Sequence, residues 1–73
     1  MDQLTIQITL KAYLTETCTR LHKAASIARV AEACALAGDT GKGVEVALEI
    51  EALIYDVNTF LNAASMINRL EPS

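Results

Sequence analysis

The residues of this 73-residue chain that could carry chemistry are few, and Cys18 with His22, four residues apart, is the clearest candidate pair of metal ligands. Their spacing of four lets both side chains lie on one side of a helix and reach one ion. A structural zinc site needs about four ligands, so a metal would require two copies of the chain. A small buried thiol beside a surface imidazole explains the pair equally well, and we predict no metal site.

A second candidate is the segment 38–43, which reads Gly-Asp-Thr-Gly-Lys-Gly. A phosphate-binding loop requires G-x-x-x-x-G-K followed by Ser or Thr, after a strand. Here Gly43 follows Lys42 where the hydroxyl belongs, and the preceding pattern is helical. We therefore interpret the segment as a plain turn.

Catalytic groups are not arranged as an active site. The single histidine has no Glu-x-x-His partner motif of the di-iron type. Glu45, Glu49 and Asp56 fall on the polar side of the second predicted helix, where a solvated surface is the ordinary explanation. Tyr13 and Tyr55 fit the core or its rim. We predict that the chain is not an enzyme and needs no cofactor.

The charge distribution argues against nucleic acid. The net charge is −3, and residues 38–73 carry two basic against six acidic side chains, whereas residues 1–37 carry four against three. A nucleic-acid binder is expected to concentrate basic residues on one surface, which this chain does not do.

Membrane and secretory segments are also missing from the pattern. The longest apolar run, residues 33–37, is far shorter than the ~18 residues of a membrane span, and no basic start precedes an apolar block. Cys18 and Cys34 on one helix would lie about 24 Å apart, beyond the roughly 7 Å that a disulfide tolerates. We expect reduced thiols and a cytoplasmic protein.

The elements that position these residues are two long helices. Three glycines punctuate the turn at 38–43, and Gly38 is placed as a helix-ending residue. Helix 1 is predicted over about 3–37 and helix 2 over about 44–70, with Arg69 and Pro72 marking its end. A turn of about six residues predicts an antiparallel two-helix hairpin within one all-α domain, residues 1–73.

The first ten residues allow a second interpretation. Leu4, Ile6, Ile8 and Leu10 alternate with polar residues, which is a strand period. Helix is favoured, because Asp2 can cap it and no second strand exists to pair with.

The apolar residues form two rows on each helix, with the steps of three and four that are typical of coiled coils. The predicted hairpin seam consists of Leu14, Leu21, Ala24, Ala28, Ala31, Ile50, Ile54, Val57 and Leu61. The second row, predicted to bind a partner and centred on Leu53, Phe60 and Ile67, consists of Val46, Leu53, Phe60, Ile67, Ile27 and Tyr13.

Two rows are more than one hairpin interface can cover. Leaving the second row in water would forfeit roughly 1.5–3 kcal/mol per large side chain, and apolar patches of that extent mark interaction sites. We therefore expect the hairpin to complete a helical bundle, either by oligomerisation or with a partner protein.

The layout resembles the small two-helix co-chaperones of type III secretion needle subunits, the YscE-like family. The features that match are the chain length, the opening Met1-Asp2-Gln3-Leu4, the central glycine turn and the second helix with Leu48-Glu49-Ile50-Glu51-Ala52-Leu53-Ile54. This resemblance implies a cytoplasmic chaperone that joins a tetratricopeptide-repeat partner and keeps a needle subunit soluble until export.

Two other interpretations remain open on the same residues. A homodimer would form a four-helix bundle with a structural or regulatory adaptor role. A small regulator would dock a helix into a groove of its target.

Overall fold

The computed structural model describes residues 2–70, and all of the regular structure in that part of the chain is helical. Helix α1 spans Gln3–Leu36, α2 spans Thr40–Ala47 and α3 spans Ile50–Asn68. The predicted all-α fold is confirmed, and the alternating segment at the start of the chain is part of α1. Met1 and the predicted helix stop Pro72 lie outside the described residues.

Helix α1 begins at a side-chain cap. Asp2 has extended backbone angles, and its Oδ1 accepts a hydrogen bond of 2.7 Å from the backbone N–H of Thr5. The cap satisfies one of the amides that a helix start leaves without a partner. The bond from the Thr5 amide lowers the pKa of Asp2, and the Thr5 hydroxyl and the Leu4 amide act in the same direction.

The turn after α1 is tighter than predicted. Gly38 has φ +97°, and its N–H donates to the Ala35 carbonyl while the N–H of Asp39 donates to that of Cys34. This pair of bonds is the Schellman ending, in which a glycine takes the left-handed conformation. Asp39 then caps α2 through a 3.0 Å bond from the Lys42 N–H.

The predicted boundaries therefore need two corrections. The turn does not reach residue 43, because the Asp39 cap starts a helix at Thr40 that contains Gly41 and Gly43. The second helix is not continuous, because it tightens at residues 48–49. There the N–H of Glu49 bonds to the Val46 carbonyl and that of Glu51 to the Leu48 carbonyl, three residues back rather than four.

The two arms of this helical hairpin contact each other in opposite order along the chain. Next to the turn, Gly43 lies so close to α1 that a Cβ atom there would be 2.8 Å from the Ala31 carbonyl oxygen. Farther out, Arg20 contacts Asp56, and Tyr13 contacts Phe60. The result is an elongated body of 54 × 15 × 14 Å.

The interior of this body is small. Within residues 2–70, the buried apolar side chains are Ile6, Ala24, Ala31 and Val57, and of these Ile6 is fully buried. Two of these four are alanines, so burial inside the hairpin contributes little stabilisation.

Candidate interaction surface

The side on which the two arms meet carries the row that was predicted to bind a partner. All six of these residues are half-buried, and the rings of Tyr13 and Phe60 lie against each other with centroids 5.7 Å apart. They therefore lie where the two arms meet, and their binding to a partner stays a prediction. The residues placed on the inner side are Val46, Leu53, Phe60, Ile67, Ile27 and Tyr13.

A charged cluster lies beside these rings. The Arg20 guanidinium carbon is 4.7 Å from the centroid of Phe60, within cation–π range. Its Nε donates to Asp56 at 3.3 Å, and its Nη1 pairs with Glu16. The hydrogen bonds that Arg20 donates to Glu16 and, to a lesser extent, to Asp56 raise the pKa of Arg20 despite its partial desolvation. Asp56, predicted to be solvated, is thus an ion-pair partner.

The row that was predicted to form the hairpin seam is split by the observed packing. Ala24, Ala31 and Val57 are buried and Ile50 is half-buried. The other five members are exposed, which contradicts the prediction: Leu14, Leu21, Ala28, Ile54 and Leu61. The helices are rotated so that the aromatic rings face each other, since these rings remove more apolar area from water than a leucine does.

The displaced leucines lie together on one flank of the hairpin. Leu14 of α1 and Leu61 of α3 line one groove, whose other walls are Leu10, Ala64, Ser65 and Asn68. Leu21 lies seven residues after Leu14, and Ile54 seven before Leu61, so each pair shares one side of its helix. Their exposed fractions are 56% for Leu14, 45% for Leu21, 41% for Ile54 and 45% for Leu61.

The flank continues past the tightened turn at residues 48–49. A second, largely apolar groove there is lined by Val44, Ala47, Leu48, Ile50, Glu51 and Ile54. Val44 is 60% exposed and Leu48 56%. Neither was predicted as a site residue, although their spacing of four on one helix side was available from the sequence. We define the apolar flank as the following residues: Leu10, Leu14, Leu21, Val44, Leu48, Ile54 and Leu61.

The opposite flank has different chemistry. Its depression is lined by Glu16, Thr19, Arg20, Lys23, Leu53 and Asp56, and the ion pairs of Arg20 cross it. The hairpin therefore presents one polar and one apolar long side.

The residues weighed for chemistry are not assembled into a site. Cys18 is exposed and Cys34 half-buried, both are free thiols, and residues 2–70 contain no group of three or more potential metal ligands. Lys42 lies within α2, and its Nζ is 3.8 Å from the carboxylate of Glu45. Over the same residues, no helix has the length and apolar character needed to cross a bilayer.

The fold and the flank define a helical hairpin with one uncovered apolar side. Comparison of the chain with family models, with curated proteins and with solved structures gave no match. The resemblance to the two-helix co-chaperones therefore stays a prediction from the sequence.

Proposed function

We propose that this chain is a non-enzymatic protein-interaction module, an antiparallel two-helix hairpin whose apolar flank is covered by helices of another chain to complete a bundle. One observation carries the proposal: four large aliphatic side chains from both arms lie exposed on one side of the molecule. They are Leu14, Leu21, Ile54 and Leu61.

The energetics of burial support a second chain. Full burial of a large aliphatic side chain is worth about 1.5–3 kcal/mol relative to exposure. These four side chains are about half exposed, so roughly half of that free energy is not gained in the single chain. A single small core supplies only about 3–5 kcal/mol. Covering the flank therefore adds an amount comparable to the stability of the isolated hairpin.

The form of the flank favours helices as the covering element. It is a strip along two packed helices, with grooves between the leucines into which side chains of another helix fit. A helical-repeat protein offers such helices in pairs. We accordingly propose a small cytoplasmic co-chaperone that binds a tetratricopeptide-repeat partner and helps to keep a secretion substrate, such as a needle subunit, soluble. The sequence resemblance supports this choice of partner.

A homodimeric four-helix bundle with an adaptor role is the second candidate. The observation that favours it is that both arms contribute to the flank, Leu14 and Leu21 from α1 and Ile54 and Leu61 from α3. Such a flank is wide enough to take two helices at once.

A matched pair of charge substitutions on α1 tests the proposal. Leu14 lies on the apolar flank, whereas Val30 is an exposed aliphatic residue on another side of the same helix. Tagged wild type and Val30→Asp should co-purify with one helical-repeat protein from cells that make the chain, identified by mass spectrometry. Leu14→Asp should lose that protein at least tenfold.

The readout must separate lost binding from lost folding. Leu14 is more than half exposed, so the circular dichroism of Leu14→Asp should keep the helical signal of the Val30→Asp control. Equal capture by both variants would overturn the assignment of the flank.

A further inference from the structure

We propose that the apolar flank also takes a second copy of this chain, related by a two-fold axis that sends the two loop ends in opposite directions. In this pair α1 lies along α1 of the other copy, and α3 along α3. The inference deepens the proposed function and rests on it, because the same flank is used. Self-pairing would then compete with binding of a different partner.

The dimensions of the hairpin fit this occupant. One long side of the hairpin, which includes the apolar flank, is a strip of 54 by 15 Å, close to the area of about 800 Å² that each partner contributes to a standard interface. A single helix, about 10 Å across with its side chains, leaves part of such a strip in water. A second hairpin has the same width and length and covers it completely.

The sizes of the side chains set the position of the axis. On α1 the flank carries Leu14, Leu21 and then Ala28, at intervals of seven residues. A two-fold axis next to Leu21 places Leu14 of each copy over Ala28 of the other. Large residues then face small ones at two equivalent positions, the arrangement that fills space in helical cores.

The same axis also pairs the grooves of the second arm. It passes beside Ile54, from which Leu61 and Leu48 lie at nearly equal distances along the chain, seven and six residues. Leu61 of one copy therefore enters the groove beside Leu48 of the other. Each groove receives a side chain that was exposed in the single chain.

The charges decide the direction. Residues 32–51, around the loop end, contain five acidic side chains and one lysine, a net charge of −4. The sequence segments 1–12 and 60–73 contain Lys11 and Arg69 against Asp2 and Glu71, a net side-chain charge of zero. Loop ends side by side would bring two strongly acidic regions within the screening length of about 10 Å. Opposite directions avoid this repulsion.

Disulfide cross-linking tests the pairing itself. In a background with Cys18→Ser and Cys34→Ser, Leu21→Cys places one thiol of each copy at the axis. Under mild oxidation it should give at least tenfold more linked dimer than Val30→Cys, an equally accessible control on α1. Equal yields, or sedimentation of the unoxidised wild-type chain as a monomer at 100 μM, would overturn the inference.

Mixtures of single-cysteine chains test the direction. Leu14→Cys mixed with Ala28→Cys should link across the pair, whereas Leu14→Cys mixed with Leu61→Cys should not. The reverse result would mean that the loop ends lie together and would overturn the inference. If the wild-type chain is a monomer and Leu14→Asp still fails to capture the helical-repeat protein, self-pairing is wrong and the proposed function is unaffected.

Discussion

At the residue scale, the register of the hairpin depends on three side chains near its middle. Tyr13 and Phe60 meet ring to ring, and Arg20 lies over Phe60 while pairing with Asp56 of the other arm. These contacts join the two arms at neighbouring levels of the hairpin. Arg20 lies midway between Tyr13 and Ile27, seven residues from each, within the row that was predicted to bind a partner. The contact with a ring and a carboxylate on the facing helix was not visible in the spacing.

The first prediction concerns Phe60. Phe60→Ala should lower the free energy of unfolding by about 2 kcal/mol, less than the roughly 3–5 kcal/mol of a fully buried phenylalanine because this ring is half-buried. Chemical denaturation followed by circular dichroism measures the change. Tyr55→Ala is the control, since its side chain is 73% exposed, and should change stability by less than about 0.5 kcal/mol. Equal effects of the two substitutions would contradict the inner position of Phe60.

The second prediction concerns the Asp2 cap and pH. Because the hydrogen bond from Thr5 lowers the pKa of Asp2 in the folded chain, its stabilisation is complete above the ordinary aspartate pKa. That stabilisation is lost as the pH falls through the lower, folded value. Between pH 5 and pH 2, helicity at the start of α1 should therefore fall in wild type.

Asp2→Asn is the matched variant, because asparagine also caps helices but does not titrate. Its amide signals at residues 3–6, followed by nuclear magnetic resonance, should move less with acid than those of wild type. An identical acid response in both chains would show that the cap does not act as described.

At the scale of elements, the sequence was sufficient to predict that the chain forms helices. It was insufficient to predict which side of each helix faces the other. Gly38 after an alanine-rich run indicated where α1 ends, and the structure confirms its left-handed conformation. Asp39 was predicted to belong to the turn. An aspartate can also cap a helix, when its carboxylate accepts a hydrogen bond from the amide three residues later. The predicted start of α2 was therefore too late in the chain. The two apolar rows lie only about 100° apart around each helix. Their roles therefore followed from tertiary contacts, and the leucines predicted for the seam, Leu14 and Leu61, lie outside it.

The third prediction belongs to the crossing of α1 and α2. Gly43→Ala should destabilise the hairpin, because the added methyl group would lie 2.8 Å from the Ala31 carbonyl oxygen, a backbone atom that cannot turn aside. Gly41→Ala is the control within the same helix. The nearest atom to its methyl group is 3.9 Å away, and it should stabilise the helix by roughly 0.5–1 kcal/mol. Thermal melting of both variants measures the opposite signs, and a stabilised Gly43→Ala would refute the close approach.

At the scale of the whole molecule, the hairpin buries few apolar side chains and leaves large ones exposed along one side. Its buried apolar side chains within residues 2–70 are four, two of them alanine, while the apolar flank keeps Leu14, Leu21, Ile54 and Leu61 in contact with water. The prediction that two apolar rows exceed the needs of one hairpin interface agrees with this exposure. The exposed residues are, however, largely those that had been placed inside. An interface is the simplest use of such a surface.

The coverage of the apolar flank by a second copy is tested most directly by the thermal unfolding midpoint, measured as a function of the concentration of the purified chain. Association that involves only the folded state raises the midpoint with concentration by mass action. Self-pairing through the apolar flank predicts a midpoint that rises steadily between 1 and 100 μM in wild type and does not rise in Leu61→Asp. One unchanged midpoint across that whole range would contradict self-pairing, and together with equal capture of the helical-repeat protein by Leu14→Asp and Val30→Asp it would contradict a covered flank.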